Sequence, residues 1–279
     1  MTTTVPSGIQ VVVDPRTVGE VRLKLPAVAE NVAVVRQALT GMTEALGIGP
    51  GVLADMKTAV SEACNNVVVH AYEDGSPDRP LRVVATAAGG DVAVTVRDGG
   101  RGITAAESDL DADRDGVGLS LITALTADVE IDGAPGEGTE VRMRFVPDPE
   151  DPAHEPDYAE PSVAALLSGV LGRTIAMLAA RANFSLDRLS DAQLVSDAVA
   201  AHSLAQATGT LLVAVQDDER ALAISVGPLA IDGGKRVVDQ SDLPGVGLLL
   251  EQLVDDVAVR RDGEFETLVL HIAERPAQP

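Results

Sequence analysis

The chain has 279 residues, which predicts about two domains at roughly 150 residues per domain. Hydrophobic residues make up 46% and charged residues 23% of it, so the composition excludes wholesale disorder. The formal net charge of −22 repels phosphate backbones, which disfavours direct nucleic-acid binding and favours a protein partner with basic patches. The single cysteine, Cys64, cannot form an intramolecular disulfide, and we expect a cytoplasmic protein.

The first half of the chain predicts alternating short strands and helices, because runs of period two alternate with runs of period 3.6. The expected order is two strands, two helices, two strands, one helix and two strands. These elements are expected at 9–14, 20–25, 27–46, 51–71, 81–87, 92–98, 117–125, 129–132 and 139–146. The glycine- and aspartate-rich segment that precedes residue 117 predicts a loop.

The second half is set apart by residues 147–161, PDPEDPAHEPDYAEP, whose prolines and acids predict an extended linker. After it, we expect helices at 163–182 and 189–206, strands at 211–216 and 221–226, a helix from Gly245, and strands at 257–260 and 266–272. Arg173 interrupts the most apolar stretch of the chain. That stretch therefore predicts a buried helix, and no membrane contact is expected.

Two segments of the second half repeat segments of the first half in the same order. GVGLSLITALTADVEI from Gly116 parallels GVGLLLEQLVDDVAV from Gly245, and LRVVATAAGGDVAVTVRD from Leu81 parallels LLVAVQDDERALAISVGP from Leu211. We infer a tandem duplication of an α+β unit, a two-layer α/β sandwich with helices on one face of a sheet. The expected boundaries are 1–146 for the first domain, 147–161 for the linker and 162–279 for the second domain.

The first chemical motif lies near the end of the second predicted helix, in SEACNNVVVHAY at 61–72. Glu62 and Asn66 are four residues apart, so an α-helix places them on one face, and His70 would continue the row. A carboxamide oxygen suits Mg²⁺, and a nearby carboxylate could deprotonate a hydroxyl. The alternative is a polar row that simply faces solvent.

The second motif, VTVRDGGRGI at 94–103, is a strand that ends in Asp98 and is followed by glycines. Such glycines let a flat heterocycle approach the backbone, where Asp98 can accept a hydrogen bond from an exocyclic amine. The alternative is a glycine-rich hairpin loop. Gly116 and Gly118 open the next helix, whose first amides suit phosphate oxygens, and Thr139 places a small hydroxyl at the start of the last strand.

An acidic loop lies between these two glycine motifs, in DLDADRDG at 109–116. Its charge would oppose closure over a triphosphate unless Mg²⁺ and a cation such as Arg101 or Arg114 offset it.

In combination, the motifs resemble the GHKL nucleotide-binding fold (gyrase, Hsp90, histidine kinase and MutL relatives). Within that fold they resemble the anti-sigma-factor serine kinases of Gram-positive stress and sporulation switches. EACNNVVVHAY at 62–72 is similar to the family's N box, DGGRG at 98–102 to its adenine-binding box, and GVG at 116–118 to its lid-closing box. The resemblance covers residues 20–146.

The resemblance implies the roles of the motif residues in a site for Mg-ATP. Glu62 would be the catalytic base, Asn66 the Mg²⁺ ligand and Asp98 the reader of the adenine. Thr139 would lie beside the adenine. The pocket would be shaped by the backbone at four glycines: Gly100, Gly102, Gly116 and Gly118.

The second half departs from this pattern at the positions that matter. Asp197 can match Glu62, but Ala201 falls where Asn66 would be and Pro228 replaces Asp98. Without these groups tight ATP binding is not expected there, so the second domain is interpreted as a degenerate pseudo-domain.

The resemblance implies an ATP-dependent protein serine/threonine kinase that phosphorylates a serine of an anti-anti-sigma (STAS-type) protein and sequesters a sigma factor. ATP and Mg²⁺ would be its cofactors. Since the related single-domain kinases act as homodimers, the two units are expected to form an intramolecular pseudo-dimer. The alternative function is a non-catalytic regulatory module that binds ATP as a conformational ligand.

Overall fold

The structure is a computed structural model that describes residues 8–73, 79–102, 117–147, 162–243 and 247–275. It divides into two compact units. The first unit runs from Gly19 through the first half of the chain. The second unit combines the described residues up to Val18 with those from Ser162 onward.

The first unit is a five-stranded antiparallel sheet with helices against one face. Its elements in chain order are β2 (Glu20–Pro26), α1 (Ala29–Leu46), α2 (Pro50–Asn66), a π-helical turn (Val67–Ala71), β3 (Pro80–Ala88), β4 (Asp91–Arg97), α3 (Val117–Leu125), β5 (Asp128–Ala134) and β6 (Gly138–Phe145). The strand order across the sheet is β2-β3-β4-β6-β5.

The second unit has the same kind of sheet, and the first strand of the chain belongs to it. Its elements are β1 (Ile9–Val13), α4 (Val163–Arg181), α5 (Leu186–Ser203), a 3₁₀ turn (Leu204–Gln206), β7 (Ala207–Asp218), β8 (Ala221–Leu229), α6 (Gly233–Asp239), β9 (Asp242–Leu243), β10 (Gly247–Leu248), α7 (Leu249–Leu253), β11 (Asp256–Asp262) and β12 (Phe265–Ala273). Its strand order is β11-β12-β8-β7-β1.

The two sheets share one topology when β1 is counted as the first strand of the second unit. In each unit the order across the sheet is first, second, third, fifth and fourth strand. β1 pairs antiparallel with β7 from Ile9 opposite Val215 to Val13 opposite Leu211. The sequence predicted that the first domain begins at residue 1. In the structure β1 instead belongs to the second unit, together with the residues from Ser162 onward. Residues 148–161 of the expected linker lie outside the described residues.

Strand alternation explains why the helices cover one face of each sheet. In β2, Val21, Leu23 and Leu25 are buried, while the residues between them point to the open face. Successive side chains of a strand point to opposite faces, so one apolar face is left for the helices to cover. The expected α+β fold with a sheet and helices on one face is confirmed for the first unit, where the family resemblance lies.

Helix α4 is the most apolar helix of the second unit. Among the described residues it is the one helix long and apolar enough to cross a membrane, and half of its most apolar window is buried inside the protein. Its buried side chains include Leu167, Leu171 and Leu178, and it packs against α5. This is the arrangement of a core helix.

Several local features differ from the sequence prediction. The helix expected from Gly245 begins at Leu249, because Gly247–Leu248 forms a short strand that pairs with β9. The helix expected at 51–71 stops being α-helical at Asn66 and continues as the π turn Val67–Ala71. His70 lies within this π turn, and its side chain is exposed, as that of Asn66 is. Helix α6 (Gly233–Asp239) was not predicted, because its GGKRVVD sequence carries a glycine pair and no helical period.

Candidate functional site

The end of α2 carries the first pair of candidate residues. Ala59, Val60 and Ala63 on the same helix are fully buried, while Glu62 is half-buried and Asn66 is exposed. The predicted pair thus lies on the accessible side of an otherwise buried helix. Asn66 is the last α-helical residue before the π turn. Such turns occur frequently at functional sites.

The second candidate group lies at the end of β4. Asp98 is 2% exposed, and its Oδ1 accepts a hydrogen bond of 2.8 Å from the Gly100 amide. Burying a carboxylate is costly unless it is hydrogen-bonded, and one bond leaves acceptor capacity on the carboxylate. Asp98 is therefore suited to accept a hydrogen bond from a ligand amine.

Three hydrogen bonds join this loop to the end of the first motif. The Tyr72 hydroxyl accepts from the Gly99 amide at 2.9 Å and donates to the Pro80 carbonyl at 2.6 Å. Arg101 donates its amide to the Ala71 carbonyl at 2.8 Å and its Nε to the His70 carbonyl at 2.9 Å. The structure therefore brings the N-box motif and the glycine loop together.

Glycine is required where the loop meets its neighbours. A Cβ at Gly100 would overlap the carbonyl oxygen of Ala71, and a Cβ at Gly102 would overlap that of Ala134. Gly102 also has a φ of +71°, which L side chains rarely adopt. These glycines let the loop pack directly against backbone on both sides.

Thr139 lies next to Asp98, as expected for two sides of one pocket. The Asp98 amide donates to the Thr139 carbonyl at 3.0 Å, and the Thr139 side chain is on the helix-facing side of β6. The turn before Thr139 is held to the loop, because the Gly136 amide donates to the Arg101 carbonyl at 2.7 Å.

Gly118 contacts Glu62 directly. A Cβ at Gly118 would overlap the Glu62 carboxylate, so a larger residue here would require the Glu62 side chain to move. The structure thus places Gly118 beside Glu62, and Asp98, Gly100, Gly102 and Thr139 together at the strand end. Gly116 and Arg114 lie outside the described residues.

A pocket of about 440 Å³ opens beside Glu62. Helices α1, α2 and α3 line it with the side chains of Arg36, Gln37, Lys57, Thr58, Ser61, Glu62 and Leu121. Two of these side chains are cationic, in a chain whose formal charge is −22. Sequence reasoning missed Arg36 and Lys57, because they lie on separate helices outside any motif.

The donor set fits a magnesium ion bound together with phosphate. Mg²⁺ prefers oxygen ligands and keeps several waters, and proteins usually hold it through one or two side chains plus substrate phosphates. Asn66 offers such an oxygen and Glu62 lies one helical turn before it. Among the described residues no three His, Cys, Asp or Glu side chains cluster, so a metal cage built from those residues alone is not formed there.

The neighbouring thiol takes no part in this chemistry. Cys64 is fully buried on α2, and burial raises the pKa of its thiol to about 12. A thiol at such a pKa is protonated and unreactive at neutral pH.

The second unit differs at the matching positions. Val226 pairs with Leu268 as Val96 pairs with Val141, so Pro228 follows its strand pair as Asp98 does; beyond Leu268 a register shift pairs Glu266 with Leu229. Glu266 is 8% exposed and accepts the amides of Asp232 at 3.0 Å and Gly234 at 3.2 Å. Asp197, which the sequence comparison aligns with Glu62, is exposed and accepts a 2.8 Å hydrogen bond from Ser168.

Comparison with known proteins bears on the first unit. The model of the histidine kinase-like ATPase domain matches residues 25–145. An anti-sigma F factor of Pasteuria penetrans is 33% identical over 129 residues, which are 43% of this chain and 86% of that protein. The chain belongs to the GHKL anti-sigma-factor kinase family. The resemblance inferred from the motifs is thereby confirmed.

Other members of the family match over shorter segments. A serine-protein kinase RsbW of Bacillus thuringiensis is 42% identical over 55 residues, which are 20% of this chain and 34% of that protein. This chain therefore covers about a third of the length of that kinase. The solved RsbU and RsbW domains of a Mycobacterium tuberculosis protein align over 99% of this chain and 93% of that one, at 11% identity and a TM-score of 0.26.

Proposed function

We propose that the first unit is an ATP-dependent protein serine kinase with Mg²⁺ as its metal. The observation that supports this most is the set of hydrogen bonds that joins the Asn66-bearing end of α2 to the Asp98 loop through Tyr72 and Arg101. Phosphoryl transfer depends mainly on positioning and on neutralising charge, and this arrangement supports the positioning.

In the proposed reaction each side chain has one task. Asp98 accepts a hydrogen bond from the adenine amine, and Asn66 supplies an oxygen to Mg²⁺, which would neutralise phosphate charge. Glu62 takes the proton of the acceptor serine while the serine oxygen bonds to the γ-phosphorus and the bond to ADP breaks.

The pocket beside Glu62 is the proposed place for the acceptor. Arg36 and Lys57 line it together with Glu62, so cationic groups flank the proposed base. They would offset the negative charge that the transferred phosphate brings to an acidic protein.

The names of the relatives suggest the partners. They are called anti-sigma F factor and serine-protein kinase RsbW. We therefore propose that the kinase phosphorylates an anti-anti-sigma (STAS-type) protein, holds a sigma factor and acts in the cytoplasm as a regulator of transcription.

We propose further that the second unit is a degenerate duplicate of the first. Both sheets have the same strand order, and each has two helices between its first and second strands. Ala201 and Pro228 supply no ligand where Asn66 and Asp98 would, so one nucleotide per chain is expected.

The test of the kinase proposal is transfer of labelled γ-phosphate to a purified STAS-type partner. The expected result is label on a partner serine that depends on both Mg²⁺ and Glu62. ATP binding without transfer to the partner would favour the alternative, a regulatory module that binds ATP as a conformational ligand.

The proposed pseudo-dimer is tested separately by small-angle scattering of the full chain. We expect a compact profile at low and high salt. An extended dumbbell profile at both would contradict the pseudo-dimer and leave the kinase proposal untouched.

A further inference from the structure

Arg101 lies where the motifs of the first unit meet. Its amide donates to the Ala71 carbonyl at 2.8 Å, and its own carbonyl accepts the Gly136 amide at 2.7 Å. Its guanidinium Nε donates to the His70 carbonyl at 2.9 Å. The residue therefore contacts the end of the N-box helix and the turn before Thr139.

The two carbonyls that Arg101 contacts are the last of the π turn. Carbonyls at a helix end have no donor within the helix and need one from elsewhere. Arg101 supplies both donors, one from its backbone and one from its side chain. Gly100 lies so close to Ala71 that a Cβ would overlap its carbonyl oxygen. The conformations of the π turn and of the loop therefore depend on each other.

The second unit provides an internal comparison. There a 3₁₀ turn, Leu204–Gln206, follows the matching helix, and the Gln206 carbonyl accepts the Ala230 amide at 2.8 Å. A guanidinium is present here too, but it bonds a side chain of the turn rather than its carbonyls: Arg236 donates to Gln206 Oε1 at 3.0 Å and to the Ile231 carbonyl at 3.2 Å. That unit also has Ala201 where the first has Asn66. The unit with Asn66 thus has a π turn whose His70 carbonyl accepts from a guanidinium, whereas the unit with Ala201 has a 3₁₀ turn whose Gln206 side chain accepts from one.

We propose that Arg101 is a positioning residue whose Nε–H group fixes the π turn after Asn66 and thereby sets the place of the Asn66 carboxamide relative to Asp98. The inference rests on the proposed function as far as ATP binding is concerned. It differs from a direct phosphate contact, in which the positive charge of Arg101 would matter and the Nε–H group would not.

Two substitutions separate these roles, with Arg22→Met as the matched control. Arg22 is a cation on β2 that pairs with Glu20 at 2.6 Å, away from the π turn. Arg101→Lys keeps the charge and loses the Nε–H group, because the lysine side chain has a methylene there, whereas Arg101→Met loses both.

Titration calorimetry with ATP is the first measurement. We expect both Arg101 variants to weaken ATP binding in Mg²⁺ by about 10-fold. Binding in EDTA should change by less than about 2-fold, since Asp98 is untouched, and Arg22→Met should match the parent protein. Full affinity in Arg101→Lys with a loss in Arg101→Met would overturn the proposal in favour of a phosphate contact.

Hydrogen exchange of the nucleotide-free full chain is the second measurement, and it does not depend on ATP binding. We expect faster exchange at 67–72 in both Arg101 variants and no change there in Arg22→Met. Unchanged exchange in the Arg101 variants would overturn the proposal. If the parent protein bound no ATP, the proposed function would fail while the exchange result still decided the role of Arg101.

Discussion

The two units use the same topology but differ in how the described polar side chains at the compared positions are bonded. In the first unit, Glu62 is half-buried and Asn66 is exposed on the accessible side of α2. In the second unit, Glu266 accepts two backbone amides and Asp197 accepts a bond from Ser168. A polar group that is bonded within the protein contributes to the stability of the fold, whereas one left accessible is available to a ligand.

Arg188 shows this internal use of polar groups most clearly. It is 2% exposed and donates to the carbonyls of Leu253 at 2.6 Å and Ala273 at 2.7 Å, to Asp191 at 3.0 Å and to Asp255. A buried guanidinium is tolerated because its donors are paired. In the second unit this guanidinium therefore serves the packing of the fold.

The largest predicted difference between the two units follows from replacing the proposed catalytic base, Glu62. We expect Glu62→Gln to lower phosphate transfer by about 10²–10⁴-fold, because glutamine has the same shape and cannot take the proton. ATP affinity should stay within roughly 3-fold, since the amide still fills the site. Asp197→Asn in the second unit is the control and should change neither. Equal losses of transfer and binding would reassign Glu62 to holding the metal.

The next effect concerns the stability of the second unit. Arg188→Met should lower the free energy of unfolding by about 3 kcal/mol, because it removes the donor of two carbonyls and of Asp191, while Asp255 keeps only its bond from the Ala273 amide. This loss of stability lies at the lower end of the range of about 3–5 kcal/mol for removing one partner of a buried ion pair, since the Asp255 side chain is 40% exposed. Circular dichroism in a urea titration measures the loss.

ATP binding by the Arg188→Met protein serves as the control for this effect. It should be unchanged, because the site belongs to the other unit. Loss of binding together with loss of stability would contradict the separation of roles between the units.

How much the sequence could predict depends on whether a pattern is local. The strands of the first unit were predicted to within about two residues, because alternation fixes which side chains face the helices. Glu62, Asn66 and Asp98 could be proposed from the sequence because each lies in a short motif, and their roles stay predictions. The π turn was missed, since VVVHA is also compatible with an α-helix and its carbonyls are bonded by Arg101, which is distant in sequence. The membership of β1 was missed because strand pairing depends on the partner β7.

A smaller effect tests the proposed hydrogen bond between the adenine amine and Asp98. Asp98→Asn should weaken ATP binding by roughly 10–100-fold, because a neutral amide replaces the buried charged acceptor. Glu266→Gln is the matched change in the second unit, where we expect no change in ATP affinity. Calorimetry compares the two variants. Unchanged affinity in Asp98→Asn would mean that adenine is not bound there.

The smallest predicted effect tests to which unit β1 belongs. Val11 on β1 and Val21 on β2 are both buried, at 0% and 2% exposure. Valine-to-alanine removes two CH₂ equivalents, so each change should cost about 1.6 kcal/mol in its own unit. The two variants are chemically matched and differ in the sheet that they weaken.

Labelling of Cys64 shows whether a variant weakens the first unit, because Cys64 is the single cysteine and is fully buried in that unit. Burial raises the pKa of its thiol to about 12, so a thiol reagent at neutral pH should label it only after that unit opens. Val21→Ala should raise the labelling rate by roughly 10-fold, as expected for about 1.6 kcal/mol. Val11→Ala should leave that rate unchanged while lowering the urea midpoint of the second unit. Equal acceleration by both variants would place β1 energetically in the first unit, because only opening of that unit exposes the thiol.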